Sequence, residues 1–367
     1  MPARLMIPGP VRVEEEVLNQ MGSPVQAHYG PSWTATYNET RDLMKRVFKT
    51  QADVHLLVGS GSAGLDAAIG SMAAPGDAFV IGCNGFFGQR LVEIGLSYGL
   101  DVVVVEAPLG EPLSPRAVVE ALNQNPGAVA LAVVHLETST TIVNPIAEIA
   151  EAAYQHGIPI IVDAVSSLAG LNLAMDEWHI DICVGASQKC LGAPPGLAPV
   201  AVSSRAWEAM KSRTKRAHGW YLNLQTWQRY DEEWGEWHPF PVTMATNNVL
   251  ALRAGLKSLL AEGLEARIER YTRLALRLRN GVRQLGLQPF TPDEEMAPIL
   301  TAIYCPDGTS SGEIVRYLLE EHDIKIAGGL GQELKDRLIR IGHMGATVGE
   351  EDIDAVLDGL ADFLRRR

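Results

Sequence analysis

Val54-His55-Leu56-Leu57-Val58 runs directly into Gly59-Ser60-Gly61-Ser62-Ala63-Gly64, and Leu65 to Met72 then follows with helical spacing. An apolar run, a glycine-rich turn and a helix in that order open a βα unit. The same alternation continues outward along the chain. Short β-branched runs recur at 78–81, 102–105, 129–134 and 158–162, and helical segments at 88–98, 115–122 and 146–155 lie between them. Strands that are apolar throughout, and separated by helices, predict a largely parallel sheet covered on both faces. Two further runs, 182–185 and 198–202, are joined through Gly192-Ala193-Pro194-Pro195-Gly196. That link is too short for a crossover helix, so the pair is expected to be antiparallel. After about Asn247 the pattern changes. One or two long amphipathic helices (249–285) lead to a strand (299–304), a helix (311–320), a strand (338–341) and a final helix (350–366). This predicts a smaller α+β domain reached through a long helix.

Composition narrows the class. Lys+Arg 31 against Asp+Glu 44 gives a net charge of −13, with 47% hydrophobic and 20% charged residues over 367 positions. A chain of this length can bury a full core and is expected to form two domains. Its acidity argues against a nucleic-acid or anionic-membrane partner, either of which needs a basic surface. No apolar run reaches the ~20 residues of a membrane span, and the first residues lack the apolar stretch of a secretory signal. The four cysteines form no Cys-x-x-Cys pair and the histidines are scattered singly, so neither a disulfide framework nor a metal site is expected. These features lead to the expectation of a soluble, cytoplasmic protein.

Four local features carry chemistry. Glycines at 59–64 let the backbone approach a ligand, and free N–H groups at the following helix start suit a phosphate. The spelling also fits a dinucleotide site. That reading requires an acid at the end of the next strand, where this chain has Gly82-Cys83-Asn84-Gly85. Asp163 ends Ile158–Val162 and is the only charged residue between Glu151 and Asp176; it is either a ligand group at a strand end or a helix cap. Lys189 is the only charged residue between Asp181 and Arg205. Most lysines lie on solvated faces, but one among apolar neighbours loses protons readily and suits Schiff-base chemistry. Phosphate cradle, strand-end aspartate and isolated lysine together suggest pyridoxal 5′-phosphate. Arg340, inside the apolar run Leu338–Ile341, needs an anion, either a substrate carboxylate or a protein acid.

With these motifs the chain resembles the class V aminotransferases of the alanine–glyoxylate / serine–pyruvate (serine–glyoxylate) family. The resemblance extends from Pro8-Gly9-Pro10 through Asn84-Gly85-Phe86-Phe87-Gly88-Gln89-Arg90 and His135-Leu136-Glu137-Thr138-Ser139-Thr140 to Ser187-Gln188-Lys189. It continues through Gly328-Gly329-Leu330-Gly331 to Arg340-Ile341-Gly342. It implies an α/β, aspartate-aminotransferase-like fold, with an N-terminal arm (1–22), a large domain with a mostly parallel, mixed seven-stranded sheet (23–258) and a small C-terminal domain (259–367). It also implies a ping-pong transfer from alanine or serine to glyoxylate or pyruvate.

Residue by residue, the resemblance makes Lys189 the Schiff-base lysine and Asp163 the partner of the pyridine nitrogen. Thr138 would contact the phenolic oxygen, and Ser60, Gly61, Ser62 and Gln188 the phosphate. Phe87 stands where relatives stack a tryptophan. Thr243 would reach the phosphate from the neighbouring subunit, implying a homodimer with shared sites, and Arg340 would grip the substrate α-carboxylate. Phe240 falls where relatives carry a phosphate-contacting tyrosine. Trp220, Trp227 and Trp234 stand at spacing seven, and Trp237 follows. They read as one helix's buried stripe or as walls of the substrate entrance. Rival readings are a cysteine desulfurase or lyase, an aminoethylphosphonate-type transaminase and, in another class, a dinucleotide-binding dehydrogenase.

Overall fold

Each apolar run of the first half becomes a strand, and the helices between them cover the sheet. The computed structural model describes residues 3–213 and 219–366. The chain begins with β1 (Arg4–Leu5), α1 (Glu15–Met21), α2 (Pro31–Phe48), β2 (Asp53–Val58), α3 (Gly61–Met72), β3 (Ala78–Cys83), α4 (Phe86–Ser97), β4 (Asp101–Glu106) and α5 (Pro115–Gln124). Then follow β5 (Leu131–Val134), the hairpin strands β6 (Leu136–Glu137) and β7 (Ile142–Val143), α6 (Ile146–Gln155), β8 (Ile160–Asp163), β9 (Ile182–Val184) and β10 (Leu197–Val202). Helices α7 (Ser204–Lys211), α8 (Leu224–Trp234), α9 (Thr246–Glu262) and α10 (Leu264–Gln284) come next. The chain closes with β11 (Leu300–Tyr304), α11 (Ser311–His322), β12 (Ile324–Lys325), β13 (Ala327–Gly328), β14 (Leu338–Gly342) and α12 (Glu350–Arg365).

The main sheet has seven strands in the order β2-β10-β9-β8-β5-β3-β4. Neighbours from β9 to β4 pair in parallel, whereas β10 is antiparallel to both β9 and β2. The short Gly/Pro link therefore does what its length predicts. Every residue of β5, β8 and β10 is buried, as a sheet covered on both faces requires. The C-terminal ends of β2, β3, β5, β8 and β9 open on one edge, and ligands of α/β sheets bind along such an edge.

The expectation of one or two helices over 249–285 resolves as two. Gly263 sits between α9 and α10 at φ 90°, a left-handed conformation that a β-carbon would strain. From there α10 passes between two cores. Its Tyr271 packs into the core around the large sheet, and Leu274, Leu278 and Val282 join a second core with Ile303, Ile339, Ile341 and Val356. The three-stranded antiparallel sheet β11-β14-β13 belongs to this second core. At the N-terminus, β1 pairs with β12 and Met6 is buried in the second core, while α1 packs on α9.

One sequence expectation is corrected here. The tryptophans at spacing seven do not form one stripe. Trp220 precedes α8, Trp227 is fully buried with its indole N–H donated to the Tyr221 carbonyl (2.9 Å), and Trp234 is half exposed. His218, the first residue of that tryptophan-rich segment, lies outside the described residues. Phe240, which stands where relatives carry a phosphate-contacting tyrosine, is a core residue. It is fully buried, with its ring centroid 4.9 Å from that of Tyr37 and 4.5 Å from that of His238. Without a hydroxyl to satisfy, the ring packs as core.

Candidate active site

A cleft of about 440 Å³ lies at the C-terminal edge of the large sheet, within the range of small-ligand sites. Its walls come from the loops that follow the parallel strands. After β2, Ser60, Gly61 and Ser62 enter it; after β3, Phe87 and Arg90; after β5, Leu136. Asp163 enters at the end of β8, and Gln188 and Lys189 after β9. Seven of the residues singled out from the sequence thus meet in one cavity: Ser60, Gly61, Ser62, Phe87, Asp163, Gln188 and Lys189.

The cradle is built by close approach. At Gly61 a β-carbon would stand 2.4 Å from Val165 Cγ2 and 3.3 Å from Ala186 Cβ, so no larger residue lets the first turn of α3 settle against the sheet. Ser60 is the N-cap, yet its hydroxyl makes no cap hydrogen bond. It is left available to a ligand, along with the N–H groups of the first turn. Gln188 Oε1 is buried with no partner among the described residues, and a bound polar group would satisfy that amide.

Lys189 and Asp163 are both displaced from ordinary acid–base behaviour by burial. Desolvation pulls the Lys189 ammonium down to about 8, and the neighbouring cations Arg340 and Arg90 act in the same direction. Its Nζ donates to the carbonyl of Pro8, so the N-terminal Pro-Gly-Pro motif holds the amine. Burial also raises the Asp163 carboxyl to about 6. Its Oδ1 accepts the Val165 N–H at 2.9 Å. The cap reading is therefore part of the truth, and the side chain also faces the cleft.

Arg340, on β14, comes from the second core. It is 7% exposed. Its Nε donates to the Gly328 carbonyl (2.9 Å) and its Nη1 to the Thr138 carbonyl (2.8 Å). Among the described residues it makes no ion pair, which removes the protein-acid alternative at contact distance. Burial lowers it to about 10, opposed by the charge of Glu137, so it stays a cation at neutral pH. Thr138 is buried beside it. Thr243 is exposed and does not line this cleft. Nor does any of the four tryptophans at 220–237. The Gly328–Gly331 motif reaches an adjoining cleft of about 480 Å³ through Leu330 and Gly331, shared with Phe86 and Ser139.

Sequence reading assigned no role to Glu137, although it stands inside a quoted motif. It is fully buried. One carboxylate oxygen accepts the N–H groups of Phe87 (2.9 Å) and Gly88 (3.1 Å), and the other accepts the Ser139 N–H (3.0 Å) and hydroxyl (2.6 Å). An acid at the positive end of α4 thus fixes the turn that carries Phe87. Burial pushes its carboxyl above the usual carboxylate range, and the four donors around it oppose that shift. The only signal in the sequence was an acid in an apolar stretch, and its donors Phe87 and Gly88 lie about 50 positions upstream.

A buried lysine, a strand-end carboxylate and a helix-start cradle in one cleft define a pyridoxal-phosphate enzyme, and the fold places it among the aminotransferases. The sequence model of the aminotransferase class-V family matches residues 11–356, and the chain belongs to that family. It is accordingly a transaminase that uses pyridoxal 5′-phosphate. The chain is 38% identical to an uncharacterized aminotransferase of Methanocaldococcus jannaschii, over 96% of this chain and 90% of that one. It is 32% identical to the (S)-ureidoglycine–glyoxylate transaminase of Bacillus subtilis, over 99% and 90%. The crystal structure of an alanine–glyoxylate aminotransferase from Nostoc superposes with a TM-score of 0.94 at 33% identity, covering 100% of this chain and 96% of that one. Family membership sets aside the dehydrogenase reading of Gly59–Gly64.

Proposed function

We propose that this aminotransferase moves the amino group of a small amino acid, alanine or serine, to a small 2-oxo acid, glyoxylate or pyruvate, by a ping-pong mechanism. The observation that carries the proposal is Arg340. It is a buried guanidinium oriented by two carbonyls and, among the described residues, left without a protein carboxylate, as recognition of a substrate α-carboxylate requires. The Bacillus ureidoglycine–glyoxylate transaminase and the Nostoc alanine–glyoxylate aminotransferase both act with glyoxylate, which supports the acceptor class.

Bound in the cleft, pyridoxal phosphate supplies an aldehyde for an amine and a pyridinium ring that draws electrons from the substrate Cα. In this proposal Lys189 would hold that aldehyde, and its amine would take the proton from the substrate Cα. An amine titrating near 8 accepts that proton at neutral pH better than an ordinary lysine can. Asp163, ionised above about 6, holds the proton on the pyridine nitrogen. Phe87 would cover the ring face, Thr138 would meet the phenolic oxygen, and Ser60, Gly61, Ser62 and Gln188 would take the phosphate.

The working unit is proposed to be a cytoplasmic homodimer in which Thr243 serves the neighbouring site. Two features support the dimer: Thr243 is exposed and outside its own cleft, and Tyr29, Trp234 and Trp237 form a half-exposed aromatic patch whose two tryptophans stand shortly before it in sequence. The proposed division into an arm (1–22), a large domain (23–258) and a small domain (259–367) is supported by the two separate cores.

A grid of amino donors against oxo acceptors tests the substrates. Turnover confined to small monocarboxylic pairs is expected. Sulfide release from cysteine without amino transfer, or preference for a phosphonate donor, would refute the proposal. Sedimentation should give twice the chain mass, and a monomer with full activity would refute the shared site.

A further inference from the structure

Arg90 lies one turn into α4, on the helix whose start brings Phe87 to the cleft, and it lines the cleft beside Ser60, Gly61 and Ser62. Its guanidinium carbon stands 4.7 Å from the ring centroid of Phe87 and 5.3 Å from that of Phe86. One N–H of its Nη1 donates to Ser62 Oγ at 3.3 Å. No acidic oxygen of the described residues stands within ion-pair distance of it. Two aromatic faces and a serine therefore hold a guanidinium in place without neutralising it, and most of its five donors are free.

Two anions would enter this cleft, a phosphate and a substrate carboxylate, and position separates them. Ser62 is the second residue of α3, so Arg90 stands at the helix-start cradle. Arg340, by contrast, is tied to Thr138 and Gly328. A phosphate monoester carries about −1.5 to −2 charges at neutral pH, and a helix start offers only about +0.5. The cradle of serines and backbone N–H groups leaves more than half of that charge without a cation.

We infer that Arg90 is the cation that binds the phosphate of pyridoxal phosphate, reaching it alongside Ser62 while its flat face packs on Phe87. The inference rests on the cofactor reading of the cleft. It deepens the substrate reading too: with Arg90 committed to phosphate, Arg340 is the one cation of the two left for the substrate. That arrangement selects monocarboxylates over dicarboxylates.

The test deletes the phosphate and the arginine separately. The full-length protein and its Arg90→Gln and Arg90→Lys variants are stripped of cofactor. Each is then titrated with pyridoxal phosphate and with pyridoxal, and uptake is followed by absorbance and by borohydride fixation at Lys189. Arg90→Gln should weaken pyridoxal phosphate by about tenfold to a hundredfold, the range of one hydrogen-bonded charge contact. Pyridoxal binding should stay within about twofold of the unaltered protein by the same reasoning, and Arg90→Lys should recover part of the loss. Equal weakening of both compounds would show that Arg90 only props Phe87, and no weakening of either would show that it contacts neither. Unchanged cofactor affinity with a raised KM for a dicarboxylic oxo acid would assign Arg90 to a substrate side chain instead; each of these three results overturns the inference. Failure of the unaltered protein to take up either compound at Lys189 would overturn the cofactor reading, and this assignment with it.

Discussion

Arg340→Lys keeps the charge and removes the fork. In the structure Arg340 spends Nε on the Gly328 carbonyl at 2.9 Å and one N–H of Nη1 on the Thr138 carbonyl at 2.8 Å, which leaves three of its five N–H groups for a ligand. A lysine has three donors on one atom. It can keep a carbonyl or face a carboxylate, and it cannot do both in plane. Losing one structural hydrogen bond costs ~1 kcal/mol, a melting shift of a few degrees at most. Losing a bidentate contact to a carboxylate costs ~3 kcal/mol, or about a hundredfold in kcat/KM. The assay is steady-state kcat/KM for several donors and acceptors, with melting temperature alongside. The loss should be nearly the same for every substrate, because all share the α-carboxylate. Near-normal kcat/KM together with a large melting drop would refute the reasoning, because the guanidinium would then serve only the junction between β13, β14 and the Thr138 loop.

Asp163→Asn should still accept the Val165 N–H and bind cofactor, yet lose kcat by well over tenfold, because an amide holds no pyridinium proton by charge. A loss below about tenfold, under ~1.4 kcal/mol of barrier, would leave Asp163 only as a cap. The pH dependence of cofactor uptake should report the depressed Lys189 amine. The neutral amine attacks the aldehyde, so the rate should climb with pH and level off above about 8, whereas an ordinary lysine would still be climbing at ~10. Stopped-flow absorbance reads this directly. Glu137→Gln sets an amide NH2 against N–H or O–H donors in a buried site. It should lower stability by ~1–3 kcal/mol, measured by urea unfolding, and reduce the visible circular dichroism of the bound cofactor as Phe87 loosens. An unchanged dichroism would show that α4 holds its start without this acid.

Short-range pattern determined much of this protein. Continuous apolar runs marked the strands of the large sheet, because a strand buried on both faces leaves no place for polar residues. The edge strand β4 keeps the apolar run although it is partly exposed. The length of the link 192–196 determined that β10 runs against β9. Asp163 and Lys189 were legible for a related reason. An isolated charge in apolar sequence must be buried, and burial needs a purpose. Tertiary structure alone decided the pairings between distant segments. Glu137 finds its donors at Phe87 and Gly88, and Arg340 finds the carbonyl of Thr138, 202 positions away. No local periodicity encodes such contacts, since they arise only when the loops at the strand ends converge. The same holds for Phe240, whose packing in the core beside Tyr37 and His238 no local pattern encodes. It holds as well for the tryptophans, whose heptad spacing was broken when α8 began only at Leu224. Helical spacing predicts a shared face only within one helix, and where a helix starts is settled by its packing and caps.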